Sequence, residues 1–190
     1  MTVVYIHGAS ATGDSFNYIR SHLKQKDEIV IEYDSVNGFD NNLKDMKQII
    51  KNVNNVRFVC HSLGGIYALH LADAFPDQIK KAVTISTPYG GAEIADYAKY
   101  FLPFNRLMKD IGPNSEPIRT ANRIKINHPW LNIVTTRGNS PWILHPNDGV
   151  VTLKSMKYRD DMQLEELHSN HYEVVMSPEA VKIIKQFIKI

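Results

Sequence analysis

Ser62 lies at the centre of VCHSLGG, residues 59–65, a pattern of residue types that could support nucleophilic catalysis. A serine hydroxyl is a weak nucleophile unless a neighbouring base takes its proton, and it must stand clear of the backbone to reach a substrate. A very tight strand–turn–helix achieves this when the residues two positions before and after the serine are small. Here they are Cys60 and Gly64. Taken alone, the pattern fits an ordinary strand–helix junction equally well, so its interpretation depends on the remaining chain.

The base for Ser62 is expected among the histidines that follow a late strand. Of the eight histidines in the chain, His168 and His171 lie in LHSNHYEVVMSPEAV, just before a predicted final helix. His171 is in the loop that precedes this helix, where the carboxyl edge of a sheet should face Ser62, so we favour His171. His168 remains the alternative and His145 a more distant one. We interpret His61 as structural, because adjacent residues of such a turn point in different directions.

The acid that orients the base should follow the preceding strand. The segment NSPWILHPNDGVV, residues 139–151, is that loop, and Asp148 is its only acidic residue. A carboxylate there would fix the tautomer of His171 and stabilise its imidazolium form. The alternative is that Asp148 merely starts an Asp-Gly turn.

Acyl transfer also needs hydrogen-bond donors for the oxyanion. In a turn of this kind one donor is the backbone N–H of the residue after the nucleophile, here Leu63. The loop HGAS, residues 7–10, follows the first predicted strand and makes the N–H of Ala9 the natural second donor. A simple turn containing a satisfied histidine is the alternative interpretation of this loop.

Alternating β-rich and helical segments must position these residues. The β-rich runs are 2–7, 28–33, 56–60, 81–86, 131–136 and, as the weakest, 162–167; helical stretches are predicted at about 13–25, 40–53, 63–75, 91–101, 115–125 and 177–189. Most runs are continuously apolar, which favours parallel strands covered on both faces. We therefore predict an α/β fold: a doubly wound, mainly parallel six-stranded sheet with helices on both faces, whose ligands bind beyond the carboxyl ends of the strands.

Composition limits the classes of function. The chain of 190 residues fits one domain, 1–190, and its formal net charge of +2 does not call for nucleic acid or an anionic membrane. It has one cysteine, and neither a secretory signal nor a run of about 18 apolar residues long enough to cross a membrane is apparent. We expect a cytoplasmic protein without integral membrane contact. No metal-ligand cluster, phosphate loop or dinucleotide fingerprint is present, so no cofactor is expected.

Five segments, IHGAS, VCHSLGG, ISTPYGG, PNDGVV and NHYEVVMSPEAV, together resemble the α/β-hydrolase superfamily over nearly the whole chain. The likeness is greatest to compact bacterial lipases and lipase-like serine esterases. It implies Ser62 as nucleophile, Asp148 as acid, His171 as base, and backbone donors at Ala9 and Leu63, on a sheet without the superfamily's first antiparallel hairpin. Cys60 departs from the commoner glycine, and we interpret it as a buried packing residue.

These observations predict a serine hydrolase that cleaves carboxylic esters through an acyl-enzyme intermediate, with a small acyl ester of short to medium chain as its substrate. A short cap-like insertion at about 91–128 should supply Phe101 and Phe104 to the substrate pocket, and Trp142 is a further candidate; core packing is the alternative for these rings. A thioesterase or amidase could use the same three residues. A catalytically silent α/β-hydrolase that acts as a binding protein is the alternative of a different class.

Overall fold

Six parallel strands form the central sheet of the computed structural model, which describes residues 1–92, 106–138, 140, 143 and 145–189. The strands are β1 (Thr2–Ile6), β2 (Glu28–Ile31), β3 (Val56–His61), β4 (Ile79–Ile85), β5 (Trp130–Thr135) and β6 (Gln163–Leu167). Their order across the sheet is β2-β1-β3-β4-β5-β6, and each neighbouring pair is parallel. This confirms the predicted α/β class and the six predicted strands.

The helices of the described residues are α1 (Asn17–Leu23), α2 (Phe39–Ile50), α3 (Leu63–Ala74), α4 (Arg106–Ile111), α5 (Glu116–Ala121), α6 (Leu153–Met156) and α7 (Pro178–Ile188). Three 3-10 turns accompany them, at Gly13–Phe16, Ser35–Asn37 and Glu173–Met176. The predicted helix 177–189 is confirmed. Ser177 caps α7 by accepting the N–H of Ala180, and Pro178 stands at its first position, where no N–H is needed.

Apolar side chains cover both faces of the sheet. Along β1, Val4 and Ile6 belong to a cluster with α2, α3 and α5, whereas Val3 and Tyr5 belong to a second cluster with α1 and α7. Successive residues of a strand point to opposite faces of the sheet, so each apolar strand is covered by helices on both faces. This explains why the strands read as continuous apolar runs. β6 is the exception: it lies at the edge and four of its five residues are exposed, which explains its weak signal.

The strand order reverses between β1 and β3, because β2 lies beyond β1 on one side and β4 beyond β3 on the other. In open parallel sheets, this reversal leaves a crevice at the carboxyl ends of the two central strands, where ligands bind. The loop that begins at His7 follows β1, and Ser62 directly follows β3. The two segments with predicted chemistry therefore meet at the crevice.

The sequence prediction of the helices differs from the structure at several places. The stretch 13–25 is a 3-10 turn followed by the seven-residue α1, and α4 and α6, of six and four residues, were not predicted because so few residues give no periodic pattern. The predicted helix 91–101 lies almost wholly outside the described residues. None of the described helices is long and apolar enough to span a bilayer.

The described part of the predicted insertion packs on the sheet domain. Ile118 and Ala121 of α5 are buried in the cluster that contains α3. The Arg159 guanidinium, itself buried, donates to the carbonyl oxygens of Ala121 and Ile124 at 2.6 Å each. These contacts tie residues 116–124 to the loop before β6. A separate cap within 91–128 stays a prediction.

Candidate active site

The turn after β3 holds Ser62 in a left-handed backbone conformation, with φ 52° and ψ −122°. Residues other than glycine adopt such angles at a cost of about 1–3 kcal/mol, and only where the surrounding structure enforces them. The Ser62 N–H donates to the Ile85 carbonyl oxygen at 2.8 Å, which fixes the turn to β4. A Cβ at Gly64 would lie 2.1 Å from the Ile6 carbonyl oxygen, so α3 passes too close to β1 for any side chain there.

Cys60 and Thr87 complete the packing of this turn. Cys60 is fully buried within the apolar cluster, and burial raises the pKa of its thiol well above the usual range. This agrees with its interpretation as a packing residue. Thr87, after β4, donates its hydroxyl to the Ser62 carbonyl oxygen at 3.0 Å. Gly65 leaves room for it, since a Cβ there would lie 2.1 Å from Thr87 Oγ1.

His171 and Asp148 are hydrogen-bonded although 23 residues separate them. His171 Nδ1 lies 2.7 Å from Asp148 Oδ2, and the His171 N–H donates to the Asp148 carbonyl oxygen at 3.0 Å. Both side chains are buried. Since Nδ1 faces a carboxylate, it carries the proton, and Nε2 is the ring nitrogen left to accept one.

The carboxylate of Asp148 is held by four hydrogen bonds. Oδ1 accepts the N–H groups of Val150 and Val151 at 3.0 and 2.8 Å, and Oδ2 accepts from Thr135 Oγ1 at 2.5 Å as well as from His171. Burial alone would raise the pKa of Asp148, but the bonds from His171, Thr135 and Val151 outweigh it and hold that pKa below its usual range. Asp148 is therefore ionised and fixed in orientation.

His61 is buried against His171. Its Nε2 donates to the His171 carbonyl oxygen at 2.9 Å, and the two ring centroids lie 4.8 Å apart. Burial, reinforced by the nearby His171, lowers the pKa of His61 to about 3. His61 is therefore neutral over the ordinary pH range and occupied as a donor to backbone, in agreement with its structural interpretation.

Ser62 and His171 line one cavity of about 560 Å³ at the carboxyl edge of the sheet. No hydrogen bond joins Ser62 Oγ to His171 Nε2, although both residues belong to the described ranges. Such bonds are commonly long before substrate binds and shorten in the complex. Ala9 and Leu63 line the same cavity, and neither backbone N–H has a hydrogen-bond partner among the described residues.

The loop that carries Ala9 is braced from behind. His7, buried after β1, lies with Nδ1 2.8 Å from the Gly8 carbonyl oxygen, and its ring stacks on Tyr33 at 4.3 Å between centroids. A Cβ at Gly8 would lie 3.1 Å from the Ser62 Cβ. This loop therefore approaches Ser62 through its backbone.

The alternative bases lie elsewhere. His168 is exposed and 3.5 Å from Thr136 Oγ1, and His145 is exposed in the loop before Asp148; neither lines the cavity. Phe101, Phe104 and Trp142 lie outside the described residues, so their predicted place in the pocket stays a prediction. In the described ranges, no group of three or more His, Cys, Asp or Glu side chains could hold a metal ion.

Sequence reasoning missed the hydroxyl groups that are linked to Asp148 and several side chains that line the cavity. Thr135 is the last residue of β5, and Ser86 directly follows β4. A hydroxyl residue at the end of a strand has no sequence pattern that would indicate such a contact. Tyr18, Tyr172 and Met176 line the cavity from α1 and from the 3-10 turn after His171. Tyr172 and Met176 are exposed although they are large and apolar, a signal that only the structure supplies.

No protein-family model matches this sequence, and no curated protein matches it either. Solved structures do resemble its three-dimensional structure. A lipase of Bacillus licheniformis in its mature form aligns with a TM-score of 0.77 and 14% identity, over 100% of this chain and 92% of that chain. A metagenomic carboxyl esterase aligns with a TM-score of 0.75 and 14% identity, over 98% and 71% of the two chains.

A lipase-esterase related protein from Clostridium acetobutylicum aligns with a TM-score of 0.67 and 14% identity, over 98% of this chain and 94% of that chain. At such identities the likeness shows a shared fold. It places the whole described sheet, with its helices on both faces, within one architecture common to these proteins.

Proposed function

Because the protein has the α/β-hydrolase fold, we propose that it is a serine hydrolase that cleaves carboxylic esters through an acyl-enzyme intermediate. The observation that carries this proposal is the pairing of two features at one cavity. Ser62 stands in a strained turn at the start of a helix, and His171, which is hydrogen-bonded to the buried Asp148, lines the same cavity. Few arrangements other than acyl transfer need both.

The proposed reaction begins when His171 Nε2 takes the proton of Ser62 Oγ as that oxygen attacks the ester carbonyl carbon. The carbonyl oxygen becomes an oxyanion, and the N–H groups of Ala9 and Leu63 donate to it. His171 then gives its proton to the leaving alcohol, which departs as the acyl-serine forms. A water molecule then attacks the acyl carbon while His171 Nε2 takes one of its protons. The bond from the acyl carbon to Ser62 Oγ breaks, the carboxylic acid leaves, and His171 returns the proton to Ser62 Oγ. Asp148 stabilises the imidazolium at both stages.

The cavity favours an apolar acyl group. Apolar side chains from the loop after β4, from α4 and from the loop after Asp148 line it: Pro88, Ala92, Ile111, Val150 and Val151. Burying one methylene group of an acyl chain is worth about 0.8 kcal/mol. A few methylenes would therefore raise kcat/KM by about one to two orders of magnitude over acetate. Short to medium acyl chains match a cavity of about 560 Å³.

The charged residues that line the cavity indicate whether a neutral ester or a thioester of an anionic coenzyme is the better substrate. Asp14 is the only Asp, Glu, Lys or Arg residue that lines the cavity in the described part of the chain. A thioesterase for acyl groups on a phosphorylated carrier needs cations near its entrance, and none of the described lining residues is a lysine or arginine. We therefore favour neutral esters over polyanionic thioesters.

Labelling with a fluorophosphonate probe tests the function. The wild type should form a covalent adduct at Ser62, and S62A should not. The kcat/KM for p-nitrophenyl esters of graded chain length should then be highest for acyl chains of about four to eight carbons. Shorter chains bury fewer methylene groups, and longer chains exceed the cavity. A protein that neither labels nor hydrolyses any of these esters would be a silent binding protein. Efficient cleavage of an acyl-coenzyme A, with poor cleavage of neutral esters, would instead support a thioesterase.

We also expect substrates in free solution. The segment between β4 and β5 is short for a lid, and one of its two described helices, α5, already packs on the sheet domain. Activity should rise smoothly as an ester passes its solubility limit. An abrupt increase there would mean that residues 94–111 close over the site. F101A and F104A probe the same segment: a larger loss for long acyl chains than for acetate would place these rings in the pocket.

A further inference from the structure

A chain of buried hydroxyl groups leads from β4 to the acid. Ser86 Oγ lies 2.8 Å from Thr135 Oγ1, and Thr135 Oγ1 lies 2.5 Å from Asp148 Oδ2, the same oxygen that His171 Nδ1 contacts. Ser86, Thr135 and Asp148 have no exposed surface, and His171 is only 3% exposed. No water can therefore replace a missing partner without rearrangement, and each bond determines the next.

The directions of these bonds follow from the number of hydrogens. An ionised carboxylate can only accept, so the single hydroxyl hydrogen of Thr135 points at Asp148. Thr135 Oγ1 can then only accept from Ser86, and Ser86 must donate. Met156 Sδ, 3.4 Å from Thr135 Oγ1, is left as a packing neighbour, since the hydrogen is already used. The chain thus has one direction: Ser86 to Thr135, Thr135 to Asp148.

Ser86 adopts an unusual backbone conformation for this position. Its φ is 53°, in the left-handed region, although it is neither glycine nor asparagine. Its N–H donates to the Ile133 carbonyl oxygen at 2.9 Å, which holds it beside β5. A serine held in this region costs about 1 kcal/mol or more relative to glycine. Glycine would fit this backbone more easily but would have no hydroxyl for Thr135.

We propose that Thr135 is a positioning residue for the reaction, and that Ser86 in turn orients the Thr135 hydroxyl. This rests on the proposed function, because both act through Asp148 and not on the substrate. The two backbone bonds to Oδ1 fix one carboxylate oxygen, and the Thr135 bond fixes the rotation of the other toward His171 Nδ1. Without it, Oδ2 keeps only the bond to a ring that must itself move a proton.

Substitutions at Thr135 test the role of its hydroxyl. T135V keeps the shape but removes the donor, and it should lower kcat by about 10–100-fold while KM changes less than threefold, since a misplaced catalytic group loses rate and not substrate binding. T135S keeps the donor and should restore kcat to within about threefold of the wild type. The matched control is T84V: Thr84 is a fully buried β4 threonine whose hydroxyl lies 2.9 Å from Tyr89 Oη and Asn132 Oδ1, away from the acid. T84V should lower stability without lowering kcat.

S86G is a second test variant that should remain folded even if T135V does not. It removes the donor and also relieves the left-handed conformation, so its midpoint of thermal unfolding should stay near that of the wild type. Its kcat should nevertheless fall severalfold. A double substitution measures the coupling: in the D148N background, T135V should cost no further activity, because Thr135 acts through the carboxylate. Equal losses from T135V and T84V, or a T135V loss that persists in D148N, would overturn the proposal.

A spectroscopic measurement keeps this proposal distinguishable from the proposed function. The proton between His171 Nδ1 and Asp148 should give a far-downfield ¹H resonance that H171A abolishes. T135V should shift or broaden it and T135S should restore it, whether or not any ester is hydrolysed. An unchanged resonance in T135V would contradict the positioning role even in an active enzyme. A shifted resonance in a protein that does not label with fluorophosphonate would retain the positioning role and reject the proposed reaction.

Discussion

The turn at the end of β3 and the loops at the ends of β5 and β6 hold their side chains by different means. At β3, Ser62 is placed by backbone contacts: a left-handed φ, an N–H bond to β4 and a helix that passes within contact of β1 at Gly64. At β5 and β6, Asp148 and His171 are placed by hydrogen bonds between side chains and backbone that join residues far apart in sequence. Sterics governs the first region and a polar network the second.

The two means should fail differently. Steric placement leaves no intermediate position, because an added atom either fits or displaces a strand. A network of hydrogen bonds can lose one member and keep the rest, so its failure should be graded.

Removal of the proposed nucleophile or of the proposed base should have the largest effect, and the effect should be similar in the two regions. S62A belongs to the first and H171A to the second, yet each should lower kcat by about four to six orders of magnitude. The double variant should lose little more than either single one, because the groups act as one unit. Steady-state kinetics on one ester checks this. Additive losses would show that Ser62 and His171 do not act together.

G64A should destabilise the turn after β3 by a steric clash. Its Cβ would lie 2.1 Å from the Ile6 carbonyl oxygen and 2.7 Å from that of His7, both backbone atoms that cannot turn aside. We expect a loss of about 3 kcal/mol or more in the free energy of unfolding in urea. G149A is the control: Gly149 has φ 102°, and a Cβ added there would meet no atom within 4 Å, so only conformational strain of about 1 kcal/mol applies. Equal losses would refute the steric account.

The same contrast explains what could be predicted from sequence. Local sterics leaves a mark in the chain: the small residues around Ser62 and the apolar strand before it indicate the turn, and the six strands and the fold follow from the alternation of segments. Asp148 and His171 could be named as candidates because each lies after a late strand. Thr135 and Ser86 could not, since their role depends on β4 and β5 being neighbours in space. Short helices such as α6 left no periodic signal either.

His61 lies between the two regions, and its burial should appear in the pH dependence of stability. Burial, reinforced by His171, lowers its pKa from 6.5 to about 3. Below about pH 6.5, His61 binds a proton in the unfolded chain but remains neutral in the native state. The free energy of unfolding should therefore fall by about 1.4 kcal/mol per pH unit as the pH decreases. H61Q should show a shallower slope between pH 6.5 and 5, where carboxylates contribute little. Urea titrations at several pH values measure it; an unchanged slope would mean that His61 binds protons equally in both states.

The smallest effect is expected at Cys60, which tests whether the turn depends on packing alone. Its thiol is fully buried in the apolar cluster, and burial raises its pKa well above the usual range, so it is neither accessible nor ionised. C60A removes one sulfur atom and should cost about 1 kcal/mol of stability through the small cavity it leaves. Because Ser62 is placed by backbone and by Gly64, kcat should stay within about twofold of the wild type, a change of less than half a kcal/mol in the barrier. A thiol reagent should likewise leave the native wild type uninhibited. A tenfold loss of kcat in C60A at unchanged stability would give the sulfur a part in the reaction, and the turn would then need a chemical explanation beside the steric one.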